Sequence, residues 1–181
     1  MKNAAFDEFV KSQQVPADPE IDWNKERDEW LGRLNELYER IEEFLKEYIA
    51  SGQIQVTSDV IGLNEENIGA YSAPQVTLKI GRKQVKLQPV GTLLIGSKGR
   101  VDVVGPTGTV SSLMLIDSKA TRLSDMFKVY VGVGGKPPVI PKAATREIKW
   151  EWKMVTRPPE RRFIELTQDT FFQMILEVSN G

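Results

Sequence analysis

Apolar residues recur every three or four positions in the N-terminal third of the chain and every second position through much of the rest. From about Asp22 to Ala50, Trp30, Leu34, Leu37, Ile41, Phe44 and Tyr48 are spaced 4, 3, 4, 3, 4. Leu31, Tyr38, Leu45 and Ile49 widen this set into a broad stripe, which predicts an amphipathic helix over 22–50. Charged residues fill its other side, with i, i+4 pairs such as Glu36–Arg40 and Glu42–Lys46, and Ser51-Gly52 stops it. The stripe has two uses. It is a seam for a homodimer through helix 22–50, or it packs on the chain's own sheet. Its width and its length of about three heptads favour the second, because a two-stranded seam is narrower. Upstream, residues 3–13 read as a short helix, ended by Pro16 and Pro19, so residues 1–21 form an arm and linker.

Beyond Gly52 the period becomes two. Gln53–Asp59 predicts a short strand, and 60–74 a polar loop containing Gly and Asn. Val76, Leu78 and Ile80 share one face, Gly81-Arg82 reads as a tight hairpin, and Val85 and Leu87 lie on the return strand. Strands follow at Thr92–Ile95, Arg100–Val104 and Ser111–Ile116, separated by the turns Gly96–Gly99 and Gly105–Gly108. After Lys119 come a helical turn or two, a strand over 129–133 and a Gly/Pro loop over 134–144. Glu147–Val155 alternates strictly, with Ile148, Trp150, Trp152 and Met154 on one face and Glu147, Lys149, Glu151 and Lys153 on the other. The tryptophans of this pattern suit a core better than a base-stacking surface. Arg161–Leu166 is a last strand, and Thr167 caps a helix over 167–178 whose Phe171, Phe172, Met174, Ile175 and Val178 face inward.

These elements predict one α+β domain over 22–181. A long N-terminal helix packs on a mostly antiparallel, strongly bent β-meander spanning 53–166, and a C-terminal helix closes it.

Composition narrows the chemistry. The chain has 181 residues, no cysteine and no histidine. That excludes disulfides, thiolate zinc sites, cysteine nucleophiles and the Ser-His-Asp triad. Catalysis would fall to carboxylates, Lys, Arg, Tyr or hydroxyls, and a bound metal would sit on oxygen ligands. No apolar run approaches the ~20 residues of a membrane-spanning helix, and Met1–Phe9 has no apolar leader core, so no membrane partner and a cytoplasmic location are expected. Residues 1–50 hold 7 Lys/Arg against 13 Asp/Glu, whereas 82–162 hold 16 against 6. The basic β region is suited to a polyanion, or to neutralisation by the acidic helix folded against it.

One stretch concentrates candidate chemistry: Gly99–Lys119, GRVDVVGPTGTVSSLMLIDSK. Asp102 interrupts an apolar strand, and the next strand ends in Asp117-Ser118-Lys119. If the register brings them together, two carboxylates hold Mg²⁺ or Mn²⁺, the metal activates a water, and Lys119 stabilises developing negative charge. If it does not, Asp102 lies on a polar outer face and Asp117-Ser118 begins a turn. Sequence does not fix that register. A strand with an acid between apolar residues, a turn, and an apolar strand ending in Asp-x-Lys resembles the core motif of the PD-(D/E)xK nuclease superfamily over about 20 residues. The family core, a helix before a meander, also matches the order here. The motif's Pro is replaced by Val101, its commoner Glu by Asp117, and the segment after Lys119 is a poor helix. The resemblance implies Asp102 and Asp117 as metal ligands, Lys119 as the catalytic lysine, and Mg or Mn as cofactor. Lys98, Arg100, Arg122 and Lys128 would then contact nucleic-acid phosphates. Gly132–Lys136 imitates a P-loop but lacks the following Ser/Thr and runs into Pro137-Pro138. Two main functions follow: a metal-dependent nuclease-like protein acting on phosphodiesters, or a non-catalytic interaction protein, accessory or immunity-type, that presents a β surface or the helix to a protein partner.

Overall fold

The structure, a computed structural model, describes residues 21–92, 96–126 and 147–181. Helix α1 spans Trp23–Ala50, with Asp22 as N-cap accepting from the Lys25 amide at 3.1 Å. Among the described residues seven strands follow and pair with their chain neighbours, all antiparallel: β1 Ile54–Glu65, β2 Gly69–Ile80, β3 Lys83–Gly91, β4 Ser97–Val104, β5 Val110–Asp117, β6 Trp150–Val155 and β7 Phe163–Glu165. Helix α2, Gln168–Asn180, ends the chain, and Thr167 and Thr170 form a reciprocal cap at its start. The fold is the expected α+β arrangement, with an open sheet. Among the described residues no helix is long and apolar enough to cross a membrane.

The α1 stripe makes the core. Trp30, Leu34, Leu37, Ile41 and Leu45 are buried against Val76, Leu78, Val85, Leu87, Val101, Val103, Leu113 and Leu115 of the sheet. Most of the stripe is thus covered by the chain's own strands, while Tyr48 near its C-terminal end stays 43% exposed. Trp30 reaches the sheet where Gly99 has no side chain; a Cβ there would lie 2.1 Å from the indole. Helix α2 adds Phe171, Met174 and Val178 to the same core.

Several boundaries differ from expectation. Residues 60–74 are not a loop, because β1 and β2 form one continuous 12-residue hairpin from Ile54↔Ile80 to Glu65↔Gly69. The reason is a change of inner face. Ile54 and Val56 pack on the core near the base and Leu63 near the tip, where Ile61 is half-buried, and Thr57–Val60 between them are all exposed. A two-stranded ribbon twists strongly enough to turn its other face to the core, and that erases a simple alternation. Strand β4 begins at Ser97 and absorbs the expected Gly96–Gly99 turn as a bulge. Thr92 follows β3 as a bend, and β6 starts at Trp150, leaving Ile148 45% exposed rather than inward. Lys153 is buried, not on a polar face. Residues 93–95 and the expected elements at 3–13, 129–133 and 134–144 lie outside the described residues.

The β2–β3 ladder begins at Val76↔Leu87, and at Pro74 and Gln75 just before it β2 pairs with β1 but not with β3. Tyr38 of α1 fills the fork, donating to the Pro74 carbonyl at 2.9 Å and lying 3.3 Å from the Leu87 carbonyl. Burial raises the Tyr38 phenol well above its ordinary pKa. We expect Leu37→Ala to lower unfolding free energy by about 2–5 kcal/mol. Tyr38→Phe should lower it by about 1–3 kcal/mol through the orphaned carbonyls. Urea titrations check both, and a Tyr38→Phe loss near zero would mean the hydroxyl does not hold the fork.

Candidate functional site

The β4–β5 register decides the geometry of the acidic pair. Asp102 lies opposite Ser112, whereas Asp117 is five residues further along β5. At ~3.4 Å per residue that separates them by roughly 17 Å along the strand. An odd offset also places them on opposite faces. Asp102 is on the outer face, where it accepts from Ser112 Oγ at 2.8 Å and from Arg100 Nε and Nη2 at 2.8 and 3.0 Å. Asp117 shares the inner-face parity of Leu113 and Leu115 and sits at the strand end, its Oδ1 accepting from the Lys119 amide at 3.0 Å. That is a turn-forming role. Lys119 is exposed. A hard cation holds its oxygen ligands within ~2.6 Å, so one ion does not bridge Asp102 and Asp117 in this arrangement.

The basic residues are dispersed and partly committed. Lys98 pairs with Glu26 of α1 at 2.6 Å and lies 5.8 Å from the Trp150 ring. Arg100 is held by Asp102. Arg122 is exposed beyond β5, and Lys128 lies outside the described residues. Lys153, buried under the turn after β5, donates to the Ser118 and Ala120 carbonyls at 2.7 and 2.8 Å. It thereby fixes the direction of the chain leaving Asp117.

Sequence reasoning missed one buried carboxylate, Glu65, at the hairpin tip. Tyr71 donates to one oxygen, and Thr92 donates its amide and hydroxyl to the other at 2.9 and 2.7 Å. A Cβ on Gly91 would approach Glu65 to 2.8 Å. This cluster closes the fork opened at Tyr38, tying the tip of β1 back to the end of β3. Burial, with the Glu65 contact second, raises the Tyr71 phenol above its usual value. The inward parity of Ile61 and Leu63 extends to Glu65, and that was the available signal; reading 60–74 as a loop concealed it.

Beyond β5, Asp125 accepts from the Thr121 and Arg122 amides at 2.8 and 2.9 Å. These two bonds hold its carboxyl below the ordinary carboxylate value, helped by the Thr121 hydroxyl and the Arg122 charge.

The outermost strand is the second feature of note. Every second residue of β1 directs its backbone N–H and C=O away from β2, and among the described residues no strand meets that edge. Ile54–Glu65 contains neither Pro nor Lys, the residues that commonly blunt an edge, and Val60 is 75% exposed. At the other edge β7 is three residues long.

The fold and site thus define an open, helix-wrapping antiparallel meander. The chain matches no protein-family model, no curated protein and no solved structure.

A depressed carboxyl pKa stabilises the fold above the unfolded value, ~3.9, and that contribution is lost as pH falls through the folded value. Asp125→Asn should therefore reduce stability at pH 6 and narrow its difference from the parent below about pH 3. Thermal melts across that range check this; a constant difference would place the effect elsewhere than in ionisation.

Proposed function

We propose that this chain is a non-catalytic interaction protein that joins other chains through the open edge of β1, with a second copy of itself as the partner. The observation that carries this is the 12-residue edge of β1, which no strand meets among the described residues, with Val60 exposed at its middle. Antiparallel addition of β1 to β1 across a two-fold axis satisfies both edges at once. With Val60 opposite Val60, Asp59 falls opposite Ile61, so the only two acids of the strand, Asp59 and Glu65, do not meet their own copies. The separation of Asp102 from Asp117, and the turn-forming role of Asp117, favour this reading over nuclease-like chemistry with Mg or Mn.

Sedimentation velocity over a range of concentrations tests the proposal. The parent should show a monomer–dimer equilibrium, and Val60→Lys, which places like charges on the axis, should weaken it at least tenfold without lowering the melting temperature. A parent that stays monomeric at every concentration overturns the reading. Incubation with Mg²⁺ or Mn²⁺ and single- or double-stranded DNA or RNA should give no cleavage that Lys119→Ala abolishes. Cutting lost in that variant would restore the nuclease reading.

A further inference from the structure

A second site lies at the opposite side of the sheet, where the segment after β5 meets the turn before β7. Arg122 and Arg162 are bridge partners across these segments, and the Phe163 amide donates to the Thr121 carbonyl at 2.9 Å. The 156–162 turn is held by its own bonds. Thr156 N donates to the Arg162 carbonyl at 2.9 Å, Arg162 N donates to Thr156 Oγ1 at 2.8 Å, and Thr156 Oγ1 donates to the Glu160 carbonyl at 2.8 Å. Between the two segments is an open pocket of about 480 Å³, lined by Arg122, Ser124, Arg161 and Arg162 and by the apolar Leu123 and Pro159.

The charge balance of this pocket is uneven. Glu160 also lines it and pairs with Arg162 at 2.5 Å. Asp125, the other nearby acid, spends one oxygen on the Thr121 and Arg122 amides, so it attracts Arg122 only at a distance. Arg122 and Arg161 have no carboxylate pair among the described residues. Each guanidinium carries a planar fork of donors suited to a phosphate, and the Ser124 hydroxyl lines the same pocket. Leu123 and Pro159 supply an apolar wall beside them, and guanidinium planes accept stacked bases.

We infer that the pocket between Arg122 and Arg161 binds the phosphate of a nucleotide, free or at a position along an oligonucleotide. This is independent of the β1 edge, which lies across the sheet. It also differs from a site built on Lys98 and Arg100, whose charges are already paired.

Arginine side-chain NMR of the full chain, with inorganic phosphate, AMP and a 12-nucleotide single strand as separate probes, tests it. Inorganic phosphate and AMP should each shift the Nε–H signals of Arg122 and Arg161. The ratio of their affinities tells whether phosphate alone or the nucleoside is read, and the 12-mer shows whether a chain of phosphates is preferred. The double variant Arg122→Ala/Arg161→Ala should weaken the tightest of the three about tenfold or more, the loss expected for charge-assisted bonds. For the 12-mer it should also flatten the salt dependence, since each lost phosphate contact lowers the slope of log K against log salt by about 0.7. Arg82→Ala/Lys86→Ala, in a separate surface groove near the β2–β3 turn, should leave binding unchanged. Binding that survives the first pair, or falls equally with the second, overturns the assignment, as does the absence of shifts with all three probes. Both pairs are exposed, so matched melting temperatures separate loss of binding from loss of fold.

Discussion

The burial of one stripe of α1 is the constraint on which the rest of the molecule depends. Trp30, Leu34, Leu37, Ile41 and Leu45 line one side of a 28-residue helix, and the sheet bends to cover them. Fully burying each such side chain is worth roughly 1.5–3 kcal/mol. A flat meander would reach only part of a helix this long. The ribbon twist in β1–β2, the bulge in β4 and the close approach of Trp30 to Gly99 are the local devices by which the sheet curves. Curvature has a cost: β2 and β3 part at Pro74. Tyr38 and the Glu65–Tyr71–Thr92 cluster place hydrogen-bonding groups in that gap.

How far the sequence spoke follows from which signals were local. The α1 stripe, the Thr167 cap and the inward tryptophans of β6 depend on spacing along a single element, and they were legible. The 60–74 stretch was not. Its inner face changes parity between Val56 and Ile61, and only the twisted ribbon makes sense of that. Lys153 reads as a surface residue by alternation, yet a turn folds over it and takes its ammonium on two carbonyls. The acidic pair failed to assemble for a similar reason. Asp102 and Asp117 lie on adjacent strands, but their relation depends on register, and Asp102↔Ser112 sets them roughly 17 Å apart and on opposite faces.

Charge tells the same story at larger scale. Among the described residues the acidic helix meets the basic region at the Glu26–Lys98 ion pair. Arg100 is absorbed by Asp102. Among the described residues, Arg122 and Arg161 past β5 have no carboxylate pair, and neither do Lys79, Arg82 and Lys86 on the β2–β3 side. The two ends of the sheet thus differ in character: an uncharged-to-acidic open strand edge at β1, and a cationic pocket beside β7.

Amide hydrogen exchange along β1, read residue by residue at low and high protein concentration, tests the central claim most directly. At low concentration the account predicts an alternation of period two, with amides facing β2 slow and those facing outward fast. At high concentration the fast set should become protected around Val60, while α1 and β5 stay unchanged. Outward amides that remain fast at every concentration would contradict strand addition at this edge. Outward amides already slow at the lowest concentration would show that the edge is not open in the single chain.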